Sequence, residues 1–573
     1  MVEGTDSQTL DGINLKWFRD TSGSLLFESW NPKPSRRVYI PKANGKMRPL
    51  GISSPRDKIV QQAMKLILEV ILEPKFSDFS HGFRPKRDCH SALCEIRKWK
   101  GVSWFVEGDI KSFFDNIDHH ILENLLKDHF DDQRFFNLYW KFVKAGYIEW
   151  DCSKVKYVNT ELGVPQGGVI SPILSNLMLH NLDKYVEDLI RRMDKKNLGL
   201  KPYLANPKYN SLTMRLNRLN KKVIKLRISG LDYSKAKTEC SRLIKERRKY
   251  KSLIPNPKYT KITYVRYADD WIIGVWGKKS DAQNLKDKVA CFLKKLKLEL
   301  SIEKTLITNA RSDRAKFLGT FIKRIASDKG TQYANKGSKN RRVATGNLWM
   351  SAPILELVKK LEEKGFVKCQ GFRWNPKDIW KFAALPVRDL ILRYNSIVNG
   401  ITNYYSFVDN RKRLNKIVWI IQESLKKTLR RKFRISKKIL LRKFGKNISV
   451  KVYNKDRNEV KNVKFNIPDL NRRPMNFMNN LVFDDPFEAL YRKISTINPF
   501  NLACSNCGSS SRIQMHHIKH VKTVNIKLNS FDKMMARINR KQVPLCHSCH
   551  LEVHKGNYQG KSLKNFNKIY KPI

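Results

Sequence analysis

No uncharged apolar run among the 573 residues reaches the ~18–20 residues needed to cross a bilayer, so no membrane-spanning helix is expected. The opening Met-Val-Glu-Gly-Thr-Asp is acidic and polar, which fits neither a secretory signal nor an Arg-rich transit peptide. Internal repeats are missing. Acidic residues are scarce: 52 Asp and Glu stand against 113 Lys and Arg, a formal charge of +61. A disulfide framework is also missing. Cys89, Cys94, Cys152, Cys240, Cys291 and Cys369 are scattered singly, as buried or free thiols are. Cys504, Cys507, Cys546 and Cys549 form two Cys-x-x-Cys pairs, which suggest a metal in a reducing compartment.

What is present narrows the class. Apolar residues make up 41% of the chain, enough for more than one core, so the charge does not imply disorder. The length suggests three to four domains, at ~150 residues each. The positive charge runs along the whole chain, which points to a polyanion. RNA or DNA is the natural partner, and an anionic membrane surface is the weaker alternative. Richness in Lys and Asn hints at an AT-rich genome such as an organelle's.

Residues 36–200 mix strands and helices. Arg36–Ile40 reads as a strand, Asn44-Gly45 as a hairpin turn, and Leu50–Ser53 as its return. A helix is expected from Asp57 to about Leu72, stopped by Glu73-Pro74, and a buried strand over Trp104–Ile110. Residues 205–255 carry Leu212, Leu216, Leu219 and Val223 at helical spacing amid dense Lys and Arg, with a break at Ser229-Gly230. They read as a basic helical hairpin inserted into an α/β domain. A linker is expected over 327–347, a helical basic region over 350–445, and a mixed basic region over 446–500 broken by prolines. The last 73 residues hold six of the twelve histidines and all four paired cysteines, which marks a small metal domain.

In Ile262–Val275, apolar strands flank Asp269-Asp270. Two adjacent carboxylates repel each other, and no Lys or Arg stands beside them in the sequence. Divalent cations with hard oxygen ligands would relieve the repulsion. A third carboxylate, Asp109, ends the strand beginning at Trp104. Three carboxylates from two adjacent strands could hold two Mg²⁺ ions ~3.5–4 Å apart, the arrangement used for in-line phosphoryl transfer.

The neighbouring residues sharpen this. Val265-Arg-Tyr-Ala-Asp-Asp270 resembles the catalytic motif of reverse transcriptases, and Val106–Asp118 the motif that supplies the first metal-binding Asp. Gly163-Val-Pro-Gln-Gly-Gly-Val-Ile-Ser-Pro172 resembles the motif lining the nascent base pair and template. Further matches follow in order: Ile40-Pro-Lys through Leu50, Ser80–Pro85, Leu300–Thr305 and Phe317-Leu-Gly319. Together they resemble the proteins encoded within group II introns, over nearly the whole chain. The resemblance implies that Asp109, Asp269 and Asp270 carry the metals and that Phe114 excludes a ribose 2′-hydroxyl. It implies that Lys42 and Arg48 hold the triphosphate of a dNTP, as bidentate Arg and point-charge Lys suit phosphate. Gln166 and Gly167 would line the primer-template site, with Lys304 a further substrate-binding residue. Gly4–Gly12 looks like the end of the family's N-terminal extension; the resemblance implies either a mature protein cut from a longer reading frame or a version shortened by the helices that normally precede it. High-affinity intron binding is the property this departure touches.

Ile391, Tyr394, Val398, Ile401 and Tyr405 form one helical stripe, and Leu414, Ile417, Ile421, Leu425 and Leu429 a second. Both read as bundle core. The second helix is laced with Lys412, Arg413, Lys416, Lys426, Lys427, Arg430, Arg431 and Lys432, expected to track phosphates. Arg393–Tyr405 resembles the family's maturase domain, a thumb that also grips intron RNA.

In the last domain the two Cys-x-x-Cys pairs suit a tetrahedral zinc site. His550 and His554 are spaced i, i+4, on one helical face. His516 and His517 would point to opposite sides of a strand, so one can bind a metal while the other activates water. The segment resembles the HNH nuclease ββα-metal fold. By that match His517 is the general base, and His516, His550 and His554 hold one divalent ion. Lys541 stands where the motif has an Asn that orients the base.

The expected protein is α+β and multidomain. It has right-hand polymerase fingers and palm over 1–330, an α-helical thumb and maturase domain over 345–445, a basic DNA-binding region over 446–500, and a zinc-bearing HNH domain over 501–573. Expected partners are group II intron RNA, target double-stranded DNA and dNTPs, with no membrane; a homodimer is left open. Expected cofactors are two Mg²⁺ ions, one structural Zn²⁺ and one divalent ion at the HNH site. An organelle is expected, a mitochondrion ahead of a chloroplast, with a bacterial cytoplasm as the alternative. Two rivals remain: a splicing-only maturase, and a reverse transcriptase of another retroelement.

Overall fold

The computed structural model describes residues 4–6, 8–41, 45, 47–150, 155–159, 162–164, 167–250, 252–325, 331–333, 341–343, 346–371, 373–454, 459–471, 502–510, 512–518, 529–539, 542–560 and 562–563. Lys42, Cys152, Gln166, Lys541 and the 472–501 stretch lie outside them.

The expected hairpin forms. Strand Ser35–Pro41 pairs antiparallel with Met47–Ile52, from Arg36↔Ile52 to Pro41↔Met47, and Gly45 in the connection has φ +78°. Tyr147–Trp150 and Val155–Val158 extend this fingers sheet on the Ser35–Pro41 side. Pro55 opens the following helix, Pro55–Leu72, where its missing N–H costs nothing.

The palm is a four-stranded antiparallel sheet in the order Leu306–Asn309, Trp104–Gly108, Asp270–Trp276, Lys261–Tyr267. Its central strands are buried on both faces, so they read as near-continuous apolar runs. Side chains alternate between two cores. Val106, Trp271, Ile273 and Val275 face a core shared with the Pro55–Leu72 and Ser171–Lys196 helices. Phe105, Val265 and Ile272 face the other, which continues through Phe317 and Met350 into the thumb. The insertion is a helical hairpin, Pro207–Ile228 and Ser234–Arg247, closed on Leu212, Leu216, Cys240 and Leu243. Paired strands Tyr203–Ala205 and Leu253–Pro255 form its neck.

The thumb holds helices Val387–Tyr404, Asn415–Phe433 and Lys437–Phe444. Both expected stripes are core: Ile391, Tyr394, Val398, Leu414, Ile421, Leu425 and Leu429 are all fully buried. The region expected as helical also contains a hairpin, Val367–Gln370 with Arg373–Pro376, whose Cys369 and Trp374 pack on the thumb core. Its strands are too short for a periodicity to stand out. Within 446–500, hairpin Ser449–Asn454/Glu459–Lys464 packs on the Val387–Tyr404 helix, and Ile448, Phe465 and Leu470 enter the thumb core. The 446–471 stretch therefore shares the thumb's core. Within the expected linker, Thr331–Tyr333 pairs with Arg341–Val343.

In the last domain, Ile513–His517 pairs antiparallel with Gln542–Cys546, and helix His547–Lys555 follows at once, a ββα unit.

Candidate active and metal-binding sites

The palm sheet assembles the carboxylates through its register. Gly108 pairs with Trp271, which sets Asp109, one residue on, beside Asp270. A side chain at Gly108 would sit 2.1 Å from the Trp271 indole, so only glycine lets the two strands close here. Asp269 lies in the tight turn between the strands, after Ala268 at φ +55°. A bridge between Ile110 and Leu300, with Ser301 N–H donating to Asp109 O at 2.8 Å, brings residues 299–305 alongside. Lys304 Nζ then reaches Asp109 Oδ2 at 2.6 Å. The cation that the sequence does not place beside the carboxylates is thus supplied from 195 residues away.

This cleft is electrostatically crowded. Loss of hydration raises the Asp269 carboxyl and Asp109 raises it further, while Lys304 and Arg48 oppose them. Asp270 is partly open to solvent at the rim, yet it is pushed up to about 7. Loss of hydration is the first cause, then the charges of Asp269 and Asp109 and a hydrogen bond shared with Asp109. Even with Lys304 and Arg48 nearby, negative charge is in surplus. An oxygen-only donor set with surplus negative charge fits Mg²⁺.

Arg48 lies exposed on the fingers strand Met47–Ile52, opposite Ile40. Phe114, in the short 3-10 turn Phe113–Asp115, is half-buried with its ring edge-on to Phe113. Val164 N–H donates to Phe114 O at 2.8 Å, tying the loop that begins at Leu162 to this turn. Gly167 has φ +113°, and a Cβ there would lie 2.7 Å from Gly51 O. The same loop thus touches the fingers strand at one end and the palm turn at the other. Lys42 and Gln166 lie outside the described residues.

In the last domain the sulfurs of Cys504, Cys507, Cys546 and Cys549 all lie within 4.8 Å of one another, with Cys507 Sγ and Cys546 Sγ 3.6 Å apart. A disulfide needs ~2.05 Å. Tetrahedral sulfurs ~2.3 Å from zinc would be ~3.8 Å apart, a spacing these four sulfurs suit. Asn506 Nδ2 donates to Cys549 Sγ at 3.4 Å. One face away, ligand nitrogens of His516, His550 and His554 also lie within 4.8 Å of one another, and the two Nε2 atoms on the helix are 3.1 Å apart. Three converging imidazoles suit one divalent ion. Gln514 Oε1 lies 2.5 Å from His550 Nδ1 and so fixes that ring's direction.

His517 pairs in register with Gln542, whose side-chain amide lies 2.8 Å from His517 Nε2. This contact comes from Gln542, one residue after the Lys541 position to which the resemblance points. The strand register locates it, since Gln542 lies directly opposite His517.

The basic thumb helix divides in two. Lys426 pairs with Glu423 at 2.7 Å and Arg431 with Asp378 at 2.7 Å. Lys427 donates to Pro376 O and Lys432 to Ala383 O. Lys427, Arg431 and Lys432 hold the 376–383 segment against the helix, whereas the Lys426–Glu423 pair lies within the helix itself. Lys412, Arg413, Lys416 and Arg430 are exposed and take no part in these bonds, while Lys427 and Arg431 are exposed beside theirs.

Three family models match in succession: Reverse transcriptase (RNA-dependent DNA polymerase) over 40–199, Type II intron maturase over 345–489, and AI2M/AI1M-like, HNH endonuclease over 504–550. The class is therefore a reverse transcriptase joined to a maturase domain and an HNH domain. Group II intron-encoded protein LtrA of Lactococcus lactis subsp. cremoris is 35% identical over 96% of this chain and 91% of its own. A 91 kDa protein in the cob intron of Schizosaccharomyces pombe is 35% identical over 97% of this chain and 66% of its own. A COX1/OXI3 intron 1 protein of Saccharomyces cerevisiae is 34% identical over 98% and 66%. This chain belongs to the family of group II intron-encoded proteins. It spans about two thirds of the length of the two yeast relatives.

Proposed function

We propose that the protein binds group II intron RNA, assists its splicing, nicks target double-stranded DNA and copies the intron from the exposed 3′-hydroxyl. The observation that carries this reading is the convergence of Asp109, Asp269 and Asp270 on one cleft, with surplus negative charge and Lys304 at its edge. Two Mg²⁺ ions held by these carboxylates would stabilise the charge on the attacking and leaving oxygens of phosphoryl transfer. Lys304 holds Asp109 in place. Arg48, with Lys42, takes the triphosphate of an incoming dNTP. Phe114 occupies the space a ribose 2′-hydroxyl would need, and Gln166 and Gly167 line the template.

In the last domain His517 takes the proton from the attacking water, with Gln542 holding its ring and His516, His550 and His554 holding one divalent ion. Zinc on the four cysteines keeps the two strands and the helix in register. Fingers and palm occupy 1–330, the thumb begins at 345 and the nuclease covers 501–573. A mitochondrial setting is supported by the cob and COX1 intron relatives and by the Lys- and Asn-rich composition.

Primer extension on an RNA template with dNTPs and Mg²⁺ tests the polymerase. Wild-type protein should extend. Asp269→Ala with Asp270→Ala should lose extension by a factor of ~10³ or more while keeping RNA binding, because electrostatic stabilisation is the largest catalytic contribution. Extension by the double variant refutes the site. No extension by either protein, with splicing assistance intact, moves the reading to a splicing-only maturase.

A further inference from the structure

One side chain beneath the Asp269-Asp270 turn has no place in the site as described. Arg266 is completely buried, and so is its partner Asp183 on the Ser171–Lys196 helix. All five guanidinium N–H groups are used. Nε donates to Asp183 Oδ1 at 2.8 Å and Nη2 to Asp183 Oδ2 at 2.6 Å, a bidentate pair. Nη2 also donates to Ser80 Oγ at 2.8 Å. Nη1 donates to Asn176 Oδ1 and, two residues along its own chain, to Ala268 O, both at 3.0 Å.

The acceptors are themselves anchored. Tyr264 O–H donates to Asp183 Oδ1 at 2.9 Å, and Asn176 Nδ2 donates to Gly82 O at 2.8 Å. Asn176 and Asp183 are seven residues apart and share a helix face. The backbone of Arg266 bridges residues 79–81: Arg266 N–H donates to Phe79 O and His81 N–H to Arg266 O, both at 2.9 Å. Gly82 presses so closely that a Cβ there would lie 2.3 Å from Ala268 N.

Ala268 is the left-handed residue immediately before the two carboxylates. A non-glycine residue in that conformation is unfavourable and needs its surroundings to hold it. A buried ion pair is a poor source of net stability, because desolvation offsets its attraction. Geometry is what this one supplies.

We propose that Arg266 is a positioning residue of the polymerase site. Its guanidinium, clamped by Asp183, Asn176 and Ser80, fixes the Ala268 carbonyl and with it the direction in which Asp269 and Asp270 project. This rests on the polymerase reading given above.

The test uses the full chain with Arg266→Lys and with Arg266→Met/Asp183→Asn. The double variant removes both charges together and leaves an acceptor for Tyr264, so no buried charge is stranded. Four readouts are compared: primer-extension kcat, KM for dNTP, melting temperature with RNA binding, and Fe²⁺-driven hydroxyl-radical cleavage of the backbone near 109 and 269–270. The iron probe reports the carboxylate cluster without requiring turnover.

The double variant should melt and bind RNA close to wild type. Its kcat should fall ~100-fold, the effect of a misplacement on the order of 1 Å, with KM little changed and cleavage near 269–270 lost. Arg266→Lys should fall about ten-fold, since an ammonium cannot reach all these acceptors at once. Wild-type kcat and cleavage in the double variant overturn the proposal. So does full activity in Arg266→Lys, should the double variant fail to fold. A wild-type protein that does not extend primers defeats the polymerase reading instead, and the cleavage pattern then still decides the role of Arg266.

Discussion

His180 lies on the Ser171–Lys196 helix against the Phe76 ring, with neither ring nitrogen hydrogen-bonded. Burial first, then nearby Lys184, lowers it to about 4. His81 is lowered to about 4 by burial and then by Arg87 and Arg84, although its Nδ1 lies 2.8 Å from Ser91 Oγ. The unfolded chain takes up these protons near pH 6.5, whereas the folded chain waits until about 4. Folding stability is therefore lost as pH falls through this window, by roughly 3 kcal/mol for each histidine. Asp57 works the other way. Burial raises it to about 6, so the folded chain gains a proton first and stability rises as pH falls toward 3.8. Asp270, raised to about 7, adds to that gain, so the two carboxyls largely offset the two histidines. His180→Leu removes one of the losses, so its melting temperature should hold up better than the wild type's between pH 6.5 and 4; an identical pH dependence in the variant would contradict the assignment.

At the scale of elements, the thumb helix Asn415–Phe433 shows which charges are free to work. Changing Lys412, Arg413, Lys416 and Arg430 to Gln should weaken intron RNA binding by ~10-fold or more with little change in melting temperature, since the phosphate contacts carry the affinity. The same change at Lys427, Arg431 and Lys432 should lower the melting temperature by several degrees, at ~1 kcal/mol for each tethering bond lost. Competitive filter binding alongside calorimetry separates the two sets. A second element-scale prediction concerns the ββα unit. Cys546→Ser should release zinc and lose DNA nicking while primer extension persists; nicking that survives zinc loss would remove the nuclease from this domain.

These elements also show what was legible in the sequence. The Asp269-Asp270 hairpin, the Asn44-Gly45 turn and both thumb stripes were legible because each is written in local periodicity. The four clustered cysteines were legible from their spacing. The resemblance makes Lys304 only a substrate contact, and its pairing with Asp109 depends on a bridge between Ile110 and Leu300. Four of the eight thumb cations are spent on Glu423, Asp378 and two backbone carbonyls, partners that composition does not reveal. Gln542 was hidden by register, and Arg266 by acceptors drawn from residues 80, 176 and 183.

At the scale of the whole molecule, the charge of +61 is the dominant fact. Association with intron RNA should weaken steeply with salt. A footprint of six to ten phosphates implies a loss of ~10³-fold or more between 50 and 200 mM salt. A titration in KCl measures the slope directly, and a flat response would mean that the basic surface is not where RNA binds. The palm and the thumb, meanwhile, are bonded as one body. His90 Nε2 lies 2.8 Å from Tyr404 O, Arg97 pairs with Asp409 at 2.7 Å, and Tyr404 and Tyr405 donate to Leu318 O and Gly319 O.

That shared core constrains how such a protein can change over generations. Phe105, Val265 and Ile272 of the palm sit in the same apolar cluster as Tyr394, Ile421 and Phe465 of the thumb. Deleting the palm would strip the thumb of one wall and expose that cluster to water. A lineage that kept RNA binding but had no further use for DNA synthesis could not discard the polymerase as a module. It would lose the carboxylates one substitution at a time and keep the scaffold around them.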